Sequence, residues 1–501
     1  MRSSLSRVAT TIVVGILVVA CTSATSPAPV TNPPASGPSA SSPAATPGPS
    51  GASTLSPSIA PSPSLPPSAA SASLPVRGAA HEIGTQVRMA PGPRGSLYVS
   101  VPKAGNTVLA RLDASGRPSP GWPKLIKGAS PCGLLLPVND GSVRVVCQFP
   151  DDQTTEGPPP ERAFAFDAGG RPLPGWPVEL PCCFTGRVIG DELTVYVEEV
   201  VGSDFEVGWI VTVTADGTVH QGSKVPLVPG FRTWAVGPDG VAYGIVTDFG
   251  ADPSAVKTSQ LWAVGPAGVP AGFPVAIDGI VSPPAFDAAG RIHVIVGAAW
   301  QRPTRTLVFA PDARALDAGS GELDIAASGE CAGIEGSCER PAPPLVSRDG
   351  TTFVIGSSGG RMTVVGVGPS GQLLGTAWPY RSDAAQQPSV ICPVGIDGPC
   401  DSINLAAPAI GPGGVLYLLH AAVNRSVGGS MAAIGPDGRG VSGWPVGLRR
   451  SGSAFWSVVV APDGTAYALA IEPETGGEYS ATVLAVAPDS TVLYTTTIID
   501  P

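Results

Sequence analysis

Nine cysteines and four histidines set the range of side-chain chemistry open to this 501-residue chain. Cys21 stands alone near the N-terminus. The other eight (Cys132, Cys147, Cys182, Cys183, Cys331, Cys338, Cys392 and Cys400) make an even number, which favours disulfides in an exported chain. Zinc needs close ligand pairs such as C-x-x-C with His or Cys partners. Neither Cys331 and Cys338 nor Cys392 and Cys400 have that spacing, and His81, His220, His293 and His420 are scattered, so no metal site is expected. The Asp residues of "DASG", "DAGG" and "GPDG" are turn residues that bond their own backbone, without the density of a calcium loop. No G-x-S-x-G elbow, H-E-x-x-H or P-loop occurs. Two carboxylates far apart in sequence would leave no motif, so glycoside hydrolysis stays as an alternative.

Register suggests how the cysteines pair. Cys132 and Cys147 flank a hairpin centred on Asn139-Asp140, which sets them opposite each other at disulfide distance. Cys331 with Cys338, and Cys392 with Cys400, are each expected to close one short loop and stiffen it. Cys182 and Cys183 either form a vicinal disulfide or pair elsewhere.

The lone Cys21 has a different context. Arg2 and Arg7 precede an apolar stretch over 8–19, too short to span a bilayer but suited to a signal peptide. "VVAC" at 18–21 resembles a bacterial lipobox. That resemblance implies cleavage before Cys21, acylation of its thiol and anchorage on the extracytoplasmic face of the cell membrane. Several acyl chains hold where one would not. Residues 22–74 are almost wholly Pro, Ser, Ala, Thr and Gly, with no aromatic and no charge. Such a tract cannot offset its chain entropy by burial and is expected to be a disordered linker. At about 3.1 Å per residue it could reach on the order of 150 Å. The division expected is therefore a signal peptide over 1–20, a linker over 21–75 and a folded domain over 76–501.

Two phrases recur through that domain. One is "GRPSPGWPKLI" (116–126), "GRPLPGWPVEL" (170–180), "GVPAGFPVAI" (268–277), "GQLLGTAWPY" (371–380) and "GRGVSGWPVGL" (438–448). The other is a turn glycine followed by an alternating apolar run, as in "RGSLYVSV", "DGSVRVVCQF" and "DGTAYALAI". Its glycines are Gly95, Gly141, Gly190, Gly240, Gly290, Gly350, Gly414 and Gly464, spaced by 46, 49, 50, 50, 60, 64 and 50 residues. Asp-Gly and Gly-Gly pairs supply hairpin turns and the alternation supplies strands. Eight units of four strands predict an all-β propeller of eight blades, with seven as the alternative and no helix.

The repeat resembles that of quinoprotein-like (PQQ-repeat) β-propellers, over about residues 84–500. That group includes quinone-dependent dehydrogenases and non-enzymatic lipoproteins. In some of those dehydrogenases a vicinal disulfide lies against the quinone, so the resemblance would make Cys182 and Cys183 a cofactor-contacting pair. The calcium-ligand and catalytic-Asp pattern has no match here, and C-x-x-C-H is absent. PQQ is therefore an alternative only, and no cofactor is expected. Trp122, Trp176, Phe273, Trp378 and Trp444 hold one fixed place in the repeat and are expected to pack between blades.

With blade strands lettered a to d from inside to outside, the turn glycine separates a from b, and "GWP" begins or lies in d. The d–a and b–c connections share one face. All the domain's cysteines but Cys147 fall on d–a links, and the two longest repeats carry insertions there. Loops on a rigid scaffold are where binding sits. The expectation is a monomeric binding or scaffold module whose partner is an envelope protein or glycan. The net charge of −10 speaks against nucleic acid.

Overall fold

A computed structural model describes residues 77–78 and, between 87 and 498, all except 104, 130–131, 150–160, 182, 202–204, 228–230, 249–257, 299–302, 317–318, 331–339, 359–360, 376, 383–407, 421–428, 449–452 and 474–478. Eight antiparallel four-stranded sheets follow one another along the chain, forming the eight blades of a propeller. Blade 1 comprises Arg88–Pro91, Leu97–Lys103, Asn106–Leu112 and Lys124–Ile126 as strands a to d. Blade 2 comprises Cys132–Pro137, Val143–Gln148, Glu161–Phe166 and Val178–Leu180. Strand a of blades 3 to 7 is Cys183–Ile189, Phe231–Val236, Ala285–Phe286, Leu345–Val346 and Ala409–Ile410. Blade 8 is Ala454–Val460, Ala466–Pro473, Tyr479–Val486 and Val492–Ile498. Two single 3-10 turns, Pro93–Gly95 and Pro412–Gly414, are the helical elements among the described residues.

The core is a ring of seams. Eight clusters of buried apolar side chains each join one blade to the next. Strand b is covered by a neighbouring blade on both faces, so Leu97, Tyr98, Val99 and Ser100 are all buried. The seam between blades 8 and 1 closes the ring with Leu97, Val99 and Leu112 against Tyr467, Leu469 and Tyr494. Each buried Leu or Val contributes about 1.5–3 kcal/mol before entropy is counted.

Seven of the eight a–b connections are five residues long. In blade 2 the Val138 amide donates to Ser142 O (2.8 Å) and the Gly141 amide to Val138 O (3.0 Å), with Gly141 at φ +87°. This is a type I turn closed by a glycine bulge, and it explains the turn glycine of the seven repeats with five-residue connections. The c–d turns repeat the pattern, as at Asp113 and Gly116. Blade 3 departs from it with a two-residue turn, Gly190-Asp191.

Three expectations need correction. The "GWP" phrase precedes strand d: Trp122 and Trp176 stand two residues before Lys124–Ile126 and Val178–Leu180. The phrase is the approach to that strand, because Gly121 and Gly175 at positive φ turn the chain there. The hairpin of blade 2 is centred on Asp140, pairing Pro137 with Val143, and not between Asn139 and Asp140. Cys132 still meets Cys147, because a bulge at Gly133 shifts the register by one residue. Cys147, expected apart from the d–a links, shares its end of blade 2 with Cys132. It lies near the end of strand b that leads into the b–c connection, beside Cys132 at the start of strand a.

Candidate functional site

The two faces of the blades are built differently. The a–b and c–d turns accept hydrogen bonds from the preceding blade. The Tyr98 hydroxyl donates to Gly141 O, and those of Tyr417 and Tyr467 donate to Gly464 O (3.1 Å) and Gly95 O (3.0 Å). The indole N–H of Trp122 donates to Ala168 O (3.1 Å), Trp176 to Ala215 O (3.0 Å), Trp378 to Pro436 O (3.1 Å) and Trp444 to Pro488 O (3.2 Å). Phe273, with no N–H to give, packs edge-on against Tyr243 at 5.8 Å. The backbones also touch: a Cβ on Gly175 would lie 1.8 Å from Asp216 O. That face is occupied with holding the ring.

The opposite face carries the b–c connections, from two to twelve residues long, and the d–a connections, up to 28 residues. Cys132 and Cys147 form a disulfide there. The link from blade 5 to blade 6 carries a small hairpin, Gly329–Glu330 with Arg340–Pro341. It reaches back to blade 4. The buried Arg340 donates from Nη1 to Thr233 Oγ1 (2.8 Å) and from Nη2 to Thr247 Oγ1 (3.3 Å). Ala326–Ala327, from the same link, pairs with Thr352–Ser358 and extends the short inner edge of blade 6. Cys21, Cys182, Cys331, Cys338, Cys392 and Cys400 lie outside the described residues, and the backbone of Cys183 opens strand a of blade 3.

Beside the disulfide, between strand d of blade 1 and strand c of blade 2, lies a cleft of about 390 Å³. Leu125, Ile126 and Lys127 form one wall, and Arg162, Phe164 and Phe166 form the other. Phe149 lies at 6.0 Å from Phe164, and Phe164 stacks on Phe166 at 6.4 Å with planes 4° apart. Phe149 and Phe164 rest on the buried cluster that contains both half-cystines. The Arg162 guanidinium lies 4.8 Å over the Phe149 ring and bonds Glu179 at 3.3 Å. No motif in the sequence marks these residues as a wall. Phe164 and Phe166 alternate as any strand does, and only the neighbouring blade turns them into a wall.

One further cluster was also missed. His293 occupies the strand-b place that Tyr98, Tyr243, Tyr417 and Tyr467 hold in other blades. Its Nδ1 lies 2.8 Å from Thr352 Oγ1 and its Nε2 lies 3.3 Å from Asp287 Oδ2, which Arg291 Nε also bonds at 2.5 Å. Hydroxyl, imidazole and carboxylate in line resemble a nucleophilic triad in order alone. Thr352 and His293 are at most 2% exposed and the Asp287 side chain is sealed, so the row ties blade 5 to blade 6. Burial pushes the His293 pKa down. Burial opposes ionisation of Asp287, but hydrogen bonds from Arg291 and His293 prevail and hold its carboxyl below the usual range. The turn carboxylates move the same way: the Ser347 hydroxyl and Thr351 amide lower Asp349, and the Thr491 amide lowers Asp489. A general acid working near neutrality needs the opposite shift. Among the described residues no group of three or more His, Cys, Asp or Glu side chains is arranged to hold a metal ion.

No family model matches the chain, and no curated protein matches its sequence. Among solved structures it is similar to the β-propeller domain of the Trilobed protease from Pyrococcus furiosus, at 9% identity and a TM-score of 0.41, over 73% of this chain and 98% of that one. It is also similar to dipeptidyl peptidase 4 of Porphyromonas gingivalis, at 11% identity and a TM-score of 0.48, over 82% of this chain and 59% of that one. A third is prolyl oligopeptidase B from Galerina marginata, at 10% identity and a TM-score of 0.40, over 84% of this chain and 57% of that one. The chain thus spans little more than half of either peptidase.

Proposed function

We propose that this protein is a binding or scaffold module, held outside the cell membrane by an acylated Cys21, that engages an envelope protein or glycan through its b–c and d–a face. The observation that carries the reading is the difference between the faces. One is built from near-uniform turns whose carbonyls are committed to the neighbouring blade. The other has connections of very unequal length, a disulfide and the Arg340 hairpin. A scaffold that varies on one face only is free to specialise there.

The test uses the full chain in cells. One variant replaces 383–407 by a short Gly-Ser link, and a second replaces the c–d turn side chains Ser115 and Arg117 by Ala. Cross-linking to envelope components is expected to fall for the first variant and to persist for the second. Equal cross-linking by both variants and the parent would reject the reading. For the anchor, intact mass should show acyl chains on the parent. Cys21→Ala should lack them and leave the membrane fraction, and a parent without acyl mass would rule the anchor out.

A further inference from the structure

We infer that the cleft between blades 1 and 2 is a binding site for a small amphipathic anion: one acidic group on a hydrocarbon or aromatic body. This goes beyond the proposed function and does not depend on it. Of the eleven described residues that line the cleft, nine are apolar or aromatic and two carry charge. Both charges are positive, Lys127 and Arg162, and Arg162 shares its charge with the exposed Glu179 at 3.3 Å. Among the described residues no Ser, Thr, Asn, Gln or Tyr lines it, and the indole N–H of Trp176 is already given to Ala215 O. A sugar would leave its hydroxyls unpaired against such walls, at a cost for each. A fully neutral apolar body would gain nothing from the two cations. An apolar body bearing one anion satisfies both features, and the volume lies in the range of small-molecule sites. The floor is fixed in place, because Phe149 and Phe164 rest on the Cys132–Cys147 cluster. The entrance is open: Leu125 is 52% exposed and the Arg162 side chain 41%.

The test is equilibrium dialysis of the full chain with 4-phenylbutyrate and with its uncharged counterpart 4-phenylbutanol. The acid is expected to bind saturably at one site, about fivefold tighter than the alcohol, as two partly exposed cations allow. High salt should narrow that gap. The double variant Lys127→Gln, Arg162→Gln alters one exposed and one half-buried side chain. It should bring the acid down to the alcohol's affinity and shift the alcohol by less than about twofold. Leu125→Arg, also exposed, should obstruct the cleft and reduce binding of both. Equal affinity of acid and alcohol for the parent, a gap that survives the double variant, or binding unaffected by Leu125→Arg would each overturn the assignment.

Discussion

The two faces of the blades obey different rules. On the turn face, seven of eight a–b connections have five residues, and their geometry repeats to within a hydrogen bond. On the opposite face the connections run from two residues to 28. The cause is the inter-blade hydrogen bonding. A turn whose carbonyl must meet a neighbour's indole or phenol cannot change length without breaking a seam. The described b–c residues bond the inter-blade links, as Gly429 N does Ser453 O (3.0 Å), and not a neighbour's ring. Regularity therefore marks where the ring is held, and irregularity marks where it can be modified.

That contrast can be broken most sharply at glycines. Gly175 has φ +79° and would place a Cβ 1.8 Å from Asp216 O, whereas Gly133, at the disulfide end of blade 2, has open space. Gly175→Ala should cost about 3 kcal/mol or more. Gly133→Ala should cost under about 1 kcal/mol, provided the bulge persists. Urea titrations of the two would sink the contrast if the losses matched. Next in size is the covalent brace of the variable face. Cys132→Ala with Cys147→Ala opens a closure of 15 residues and should lose about 3 kcal/mol, read as a lower denaturation midpoint. A midpoint unchanged by the double variant would mean that this end of blade 2 needs no brace.

A smaller effect probes a single seam bond. Trp176→Phe keeps an aromatic ring, though a smaller one, and removes the N–H to Ala215 O, so it should cost about 1–2 kcal/mol. Phe273 shows that the repeat tolerates this ring. A loss as large as that from Gly175→Ala would show that the ring, not the bond, sets the turn's geometry. The smallest change expected is in pH dependence. His293 has its folded pKa lowered by burial, so the unfolded chain takes up a proton first as pH falls below about 6.5. Asp287 has its folded pKa lowered too, and its contribution is present above the unfolded value and lost as pH falls through the folded one. Both therefore weaken the seam between blades 5 and 6 on acidification. The melting temperature should fall from pH 6.5 to 5, and His293→Phe should flatten that slope. An unaltered slope would remove His293 from the account.

Much of this fold is legible in the chain because it is local. A glycine at the fourth place of a five-residue turn, and a Trp-Pro before strand d, are short-range signals repeated often enough to count blades. The Cys132–Cys147 pair was also readable, although its register depends on a bulge at Gly133 that the hairpin sequence does not announce. What lay beyond reach is non-local. Arg340 meets Thr233 across 107 residues, and His293 meets Thr352 across 59. The cleft is harder still to foresee, since Leu125 and Phe164 belong to different blades and become one site only when those blades pack. Nothing in either strand's alternation marks its outer half as a wall.

The closing seam has a consequence for how the protein is made. Every other seam joins neighbours in the chain, but Tyr467 reaches Gly95 O and Thr496 reaches Gly116 O across 372 and 380 residues. During synthesis the flank of blade 1 formed by Leu97, Val99 and Leu112 has no cover until the last blade emerges. At about 5–20 residues per second that interval is roughly 20–75 s. For that time the nascent chain presents an apolar strip that a folding helper can hold. Any truncation before blade 8 would leave the strip exposed for good, so residues 454–498 decide whether the first blade is soluble.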